Sequence, residues 1–275
     1  MSRYLAISTM VMPRQIKPLW EVILTISLRD DLNHIDRNIE IHLPDRQAHR
    51  AQSLPNCMKK FVVILFVVLS SVSFGQDPCK NVYTESAWAA RDKWQKADEL
   101  IHNLNIKPGS KVADVGSHEG YMTIKLSGTV GKTGKVFAVD VEQTKLDKLK
   151  SHLATRKITH VELIKGDYDN PKLPLNALDA VIILDTYHEM DHHNKILQHI
   201  KASLKPGGRL VLCEPIADER RKSNREAQER RHELGMTFAL EDLQKAGFTI
   251  LKQQESFVDR RKEKGDKMWL IVAEK

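Results

Sequence analysis

The chain has 275 residues, 41 % of them hydrophobic, and a formal net charge of +7 at pH 7. That length holds one large domain or two small ones, and that apolar content supports a sizeable core and excludes global disorder. The charge is unevenly spread: residues 76–275 carry a net of only +4, too little to argue for a nucleic-acid partner.

Residues 1–57 show no sustained helical or strand periodicity and carry prolines at 13, 18, 44 and 55. Met58 then opens MKKFVVILFVVLSSVSFGQDPCK, in which two lysines precede an apolar run from Phe61 to Leu69 and a set of small residues. This is the order of a secretory signal peptide, with cleavage expected just before Gln76. The run is too short for a stable transmembrane span, which needs about 20 apolar residues. A buried strand or helix is the competing reading, but no polar alternation marks a surface face. The expectation is therefore an extension over 1–57, misassigned from an upstream start or unstructured, and a signal-like segment over 58–75. Export, to a periplasmic or membrane-associated location, follows if that segment is a signal; the alternative is a cytoplasmic protein. Cys57, Cys79 and Cys213 are too few and too scattered for a disulfide framework.

From Gln76 the pattern alternates between strands and helices. SAWAARDKWQKADELIHNL (86–104) reads as one helix stopped by Lys107-Pro108-Gly109. KVADV (111–115) is a strand, GYMTIKLSGTV a helix, and GKTGKVFAVD a turn with a second strand. VEQTKLDKLKSHLATR follows as a helix with Leu146, Leu149 and Leu153 on one face. HVELIKGD, LDAVIILD and GRLVLCE are three more strands, and NKILQHIKASL is helical. Strands this apolar and β-branched are those of a parallel sheet covered on both faces. The chain ends with the helix FALEDLQKAGF and the strands FTILKQQESFV and KMWLIVAEK. The short link between these strands cannot hold a crossover helix, so they pair antiparallel. The fold class is α/β: a doubly wound, Rossmann-like, mostly parallel seven-stranded sheet with a C-terminal antiparallel strand pair.

Ligands of such sheets bind outside the carboxyl ends of the strands. The loop Gly116–Gly120 lies there, Asp140 ends the second strand, and Gly166-Asp167 ends the third. Glycines let a backbone approach a ligand closely, a carboxylate at Asp140 can accept both hydroxyls of a ribose, and Asp167 can accept from an adenine amine. His118 breaks the GxGxxG spacing, which disfavours a nicotinamide dehydrogenase. The competing reading is that these acids only cap helices.

VADVGSHEG, VFAVD, IKGDYDNPKLP, LDAVIILDTYHEM and LKPGGRLVLCEP, in this order and spacing, resemble the class I S-adenosylmethionine-dependent methyltransferases. The resemblance covers about residues 84–275 and makes 76–275 a methyltransferase domain with S-adenosyl-L-methionine as cofactor. It implies that Asp114, Gly116, Ser117 and Gly120 surround the methionine part of the cofactor and that Asp140 holds the ribose. By the same likeness Asp167 and Tyr168 flank the adenine and Asp185 stands beside the reaction centre. At His118 the family has glycine, and the expectation is that the backbone keeps its path and binding is retained.

Methyl transfer is an in-line displacement, catalysed largely by orientation, and needs a base only if the nucleophile must lose a proton. His188 in DTYHEM is the candidate base; a local pocket-shaping role is the alternative. HEMDH (188–192) also matches the HExxH zinc-protease pattern with Glu189 as base, provided both histidines share one helix. The charge run DERRKSNREAQERRHELG (218–235) reads as a solvated helix with a Glu226–Arg230 pair, or as a lid whose Arg230, Arg231 and His232 draw an anionic group. The acceptor is expected to be a small molecule. An arsenic-type enzyme is disfavoured by the shortage of cysteines. An exported binding module of this fold without transferase activity is the second reading.

Overall fold

The computed structural model describes residues 83–275. The segments 1–57 and 58–75 and the residues Cys57 and Cys79 lie outside the described residues. The first helical stretch is two helices, α1 (Glu85–Asp92) and α2 (Ala97–Leu104), not the single helix that periodicity predicts over 86–104. The break has a physical cause. Lys96 sits in the left-handed region at φ 53°, and Gln95 turns into the core. There its side-chain oxygen accepts from Arg91 Nε at 3.0 Å and its amide faces Met268 Sδ at 3.5 Å. A tertiary polar contact thus overrides helix propensity.

The sheet order is β3-β2-β1-β4-β5-β7-β6. Strands β1 (Lys111–Val115), β2 (Lys135–Asp140), β3 (Val161–Lys165), β4 (Leu178–Leu184) and β5 (Leu204–Ile216) pair in parallel. Strand β7 (Asp266–Glu274) pairs antiparallel with β5 and with β6 (Thr249–Arg260), as the short link predicts. The β6–β7 register shifts between Ile250 and Lys252 and again between Gln254 and Val258.

Strand residues alternate between the two sides, and each side meets its own helices. Ala113, Val139, Val181, Ile183, Leu212 and Ile271 share one core with Leu197 and Ile200 of α5 (His193–Ser203) and Leu243 of α7 (Met236–Lys245). Val112, Val136, Ile182, Val211, Cys213 and Val272 share the other with Leu100 and Leu104 of α2 and Leu126 of α3 (Tyr121–Val130). Leu149 and Leu153 of α4 (Gln143–Thr155) cover Ala138 of β2, so the leucine face expected there is a packed one.

Charge as well as packing ties the edge strand β6 to the central strand β4. Arg260, at the end of β6, is 3 % exposed and donates through Nη1 to Asp185 Oδ2 at 2.8 Å and through Nε to Asp266 Oδ1 at 2.5 Å. Tyr83 donates its phenol proton to Asp185 Oδ2 at 2.8 Å. Burial raises the Asp185 carboxyl, but Arg260 outweighs it and holds the group well below the ordinary carboxylate range. The folded-state pKa is therefore below the unfolded one. This contribution to stability is present above about pH 4 and is lost as pH falls further.

Replacing Arg260 by Met leaves two buried carboxylates without a counter-charge, a loss of about 3–5 kcal/mol. The expected result is a clear drop in the urea midpoint at neutral pH. An unchanged midpoint would show that the pair is not what closes this end of the sheet.

Candidate active site

Strands β1 to β4 run parallel, so their carboxyl ends emerge on one edge. A cavity of about 660 Å³ opens there, and Asp114, Asp140, Asp167 and Asp185 all line it. Asp114 is buried and accepts from Thr123 Oγ1 at 2.6 Å. Burial lifts its carboxyl to about 6, with Asp140 adding to the rise and Thr123 and Arg91 opposing it.

Gly116 and Gly120 have φ of +83° and +101°, conformations that side chains rarely adopt. A Cβ on Gly116 would stand 2.3 Å from Thr186 Cγ2, and one on Gly120 would stand 2.1 Å from Leu149 Cδ1. Gly116 and Ser117 line the cavity, whereas Gly120 serves from behind it, letting the start of α3 lie against α4.

His118 keeps the path a glycine would take. Its φ is 47°, its backbone N–H donates to Asp140 Oδ2 at 2.8 Å, and its ring packs on Tyr83 with centroids 5.2 Å apart. The other oxygen of Asp140 accepts the N–H of Glu142 at 2.9 Å, so the carboxylate is fixed while keeping spare lone pairs. Burial pushes the His118 imidazole down to about 4, which leaves it neutral at pH 7. Its Nδ1 and the Oγ of Ser117 are buried beside the cavity without a hydrogen-bond partner. Such atoms are uncommon in a folded interior and suit a bound polar molecule.

Asp167 and Tyr168 stand at the mouth. Asp167 accepts from Lys172 Nζ at 2.8 Å, and the Tyr168 ring is 73 % exposed, a flat surface open to a ligand. Asp185 reaches the cavity with a φ of 58° and both oxygens engaged, by Arg260 and by Tyr83.

The far wall belongs to the turn after β4. Residues Tyr187–Glu189 form one turn of 3₁₀ helix, and Met190 is extended. His188 and His192 therefore do not share a helix, and the HExxH protease reading of 188–192 is overturned. His188 instead meets Glu214 of β5, whose Oε2 lies 2.6 Å from Nδ1, and Glu189, whose Oε1 lies 3.3 Å from Nε2. Burial works to lower the His188 pKa, but Glu214, Glu189 and Asp185 outweigh it and raise it to about 10. The ring is thus an imidazolium between two acids at neutral pH. It can accept a proton from an acceptor only after losing its own.

The charge run after β5 is one turn of 3₁₀ helix (Asp218–Arg220) and the short α6 (Arg225–Glu229), with the expected Glu226–Arg230 pair at 2.5 Å. Arg220 pairs with Glu233, and Arg225 with Asp242. Of the three residues suggested for a lid, only His232 lines the cavity; Arg230 and Arg231 do not.

Sequence reasoning missed Tyr83, Arg91 and Glu214. Arg91 lies on α1, is 5 % exposed, faces the cavity and stacks over Tyr121 at 4.2 Å. It has no salt bridge among the described residues. The break after α1 that turns it inward has no local sequence signal. Glu214 did have one, as an acid ending the apolar run LVLC.

Residues 112–208 match the family described as Methyltransferase domain. A demethylmenaquinone methyltransferase of Bacillus mycoides is 31 % identical over 121 residues, which are 44 % of this chain and 50 % of that protein. The chain thus spans about half the length of the curated relatives it matches. An S-adenosylmethionine-dependent methyltransferase from Aquifex aeolicus shares the fold with a TM-score of 0.58 at 23 % identity, over 67 % of this chain and 92 % of that one. Phosphoethanolamine N-methyltransferase 2 of Haemonchus contortus, solved with S-adenosyl-L-methionine, shares it with a TM-score of 0.56 at 14 % identity, over 71 % and 58 %. Residues 112–208 thus match a methyltransferase domain, and the fold is that of the S-adenosylmethionine-dependent methyltransferases.

Proposed function

We propose that the chain transfers the methyl group of S-adenosylmethionine to a small-molecule acceptor. The observation that carries this is the convergence of the glycine loop and four strand-end aspartates on one cavity. The residues fit the cofactor. Asp140 is pre-fixed for two ribose hydroxyls, Tyr168 offers a face to the adenine, and Ser117 and His118 supply unpartnered polar atoms. Arg91 is the buried cation for the carboxylate of the amino-acid end. Bound there, the cofactor supplies a methyl group activated by a sulfonium. The chain's own part is to align the acceptor in line with that methyl group and to exclude water from it. The acceptor enters beside His188, Glu189 and Met190, where contacts with His188 and His232 keep the Glu189 carboxylate ionised.

Relatives named for demethylmenaquinone make a hydroquinone-like ring the first acceptor to test. Export rests on the residue order of 58–75 alone. Cell fractionation with peptide mapping tests it, and a cytoplasmic, unprocessed chain would remove it. The exported non-enzymatic module is the second reading, favoured by the signal-like order of 58–75 and by the side chain at His118.

Calorimetry with S-adenosylmethionine and S-adenosylhomocysteine is the direct test. Micromolar binding is expected, reduced by about 10–100-fold in Asp140→Ala, the value of hydrogen bonds to a charged group. A folded protein that binds neither at millimolar ligand would overturn the reading.

The raised carboxyl of Asp114 gives a pH test. A cationic cofactor favours its ionised form, so affinity should fall as pH drops through 6. Between pH 7.5 and 5.5 the loss should be roughly three- to fivefold and should shrink in Asp114→Asn. An equal loss in the variant would exclude Asp114 as its source.

A further inference from the structure

We propose that His188, Glu189 and His232 bind a divalent transition-metal ion of the zinc class at the acceptor end of the cavity. One donor atom from each lies within 4.8 Å of the others. His188 Nε2 is 3.3 Å and His232 Nδ1 is 2.5 Å from the same oxygen of Glu189. Two imidazoles and a carboxylate are the set zinc takes in sites that keep a fourth position open for water or substrate.

The geometry is close to what an ion needs. Bonds of about 2.0–2.1 Å at tetrahedral angles place ligand atoms ~3.3 Å apart. The His188–Glu189 spacing already has this value. The Glu189–His232 spacing must open by under ~1 Å, by rotation of side chains that are 54 % and 64 % exposed.

His188 need not move, but binding of the ion displaces its Nε2 proton to solvent. Its Nδ1 faces Glu214 at 2.6 Å, and Glu214 is itself fixed by the N–H groups of Thr186 at 2.6 Å and Tyr187 at 2.9 Å. A buried carboxylate behind a histidine is the arrangement that fixes the tautomer of a metal-bound imidazole and aims its free nitrogen at the ion. In the sequence the third ligand lies 43 residues from Glu189, so it cannot be found from the HEMDH motif. The histidine that motif pairs with His188 is the wrong one.

The site deepens the methyl-transfer reading by defining the acceptor's chemistry. An acceptor hydroxyl bound in the open position is polarised by the ion. The oxygen–metal bond forms, the O–H bond breaks, and the proton leaves to solvent. Acceptors with a phenolic or enolic oxygen beside the methylated position suit this arrangement.

The test uses the full chain, with any histidine tag removed, and the metals alone. Dialysis against Zn²⁺ should leave one ion per chain, and Co²⁺ should give visible d–d bands of a nitrogen–oxygen site. Affinity should fall by at least ~10-fold in both His232→Ala and Glu189→Gln, whose circular dichroism and urea midpoints report that they are folded. Absence of stoichiometric binding by the wild type, or wild-type affinity in both folded variants, would overturn the site. Neither result touches the cofactor calorimetry, so failure of the metal site and failure of the methyl-transfer reading are separable.

Discussion

The buried guanidinium of Arg260 is the constraint on which the rest of the molecule turns. It sits between Asp185, which ends the central strand β4 at the cavity, and Asp266, which opens β7. Three charges without exposure to water tolerate no loss of a member, since one partner removed leaves another uncompensated. The C-terminal hairpin, far along the chain, therefore backs the cavity floor through its hold on Asp185. Tyr83 extends the same cluster to the segment before α1. A left-handed backbone at Asp185 is held in place by partners on every side.

Against that floor the cavity has two halves with different chemistry. One is made from strand ends and a glycine loop, with carboxylates whose lone pairs face hydroxyl and amine donors. The other is made from the turn after β4 and the segment after β5, where imidazoles and acids meet. The first half suits binding by shape and hydrogen bonding, and the domain match over 112–208 spans it together with the turn after β4. The second half is where acceptor chemistry has to be decided. Its residues come from segments whose paths the sheet does not dictate.

How much of this was legible follows the same division. The strands could be read because parallel strands between two helical layers are nearly all apolar, and their ends follow from the next polar residue. Asp140 and Asp167 could therefore be picked out by position, whereas Asp114 and Asp185 came only through the family resemblance. His118 raised a question that sequence could not close, because the answer depends on a left-handed φ and on Tyr83 being there to take the ring. Arg91 was hidden by a helix break that exists only because Gln95 finds partners in the core. Arg260 was unreadable, a basic residue in a run of charges with nothing local to mark it as buried. The pairing of Glu189 with His232 required the fold, and HEMDH pointed to the wrong histidine because the turn is too short to be a helix.

The two register shifts in β6 have a consequence for how the molecule meets copies of itself. An outer strand with a regular ladder offers a template to other chains. Strand β6 is long, spanning Thr249–Arg260, and lies at the edge of the sheet. Its ladder is interrupted twice, and Lys252, Gln253, Gln254 and Glu255 populate the interrupted stretch. A neighbour arriving edge-on would find neither a continuous row of amides nor an uncharged face. The irregularity that spoils the pairing with β7 thus blunts edge-to-edge aggregation on this side of the sheet.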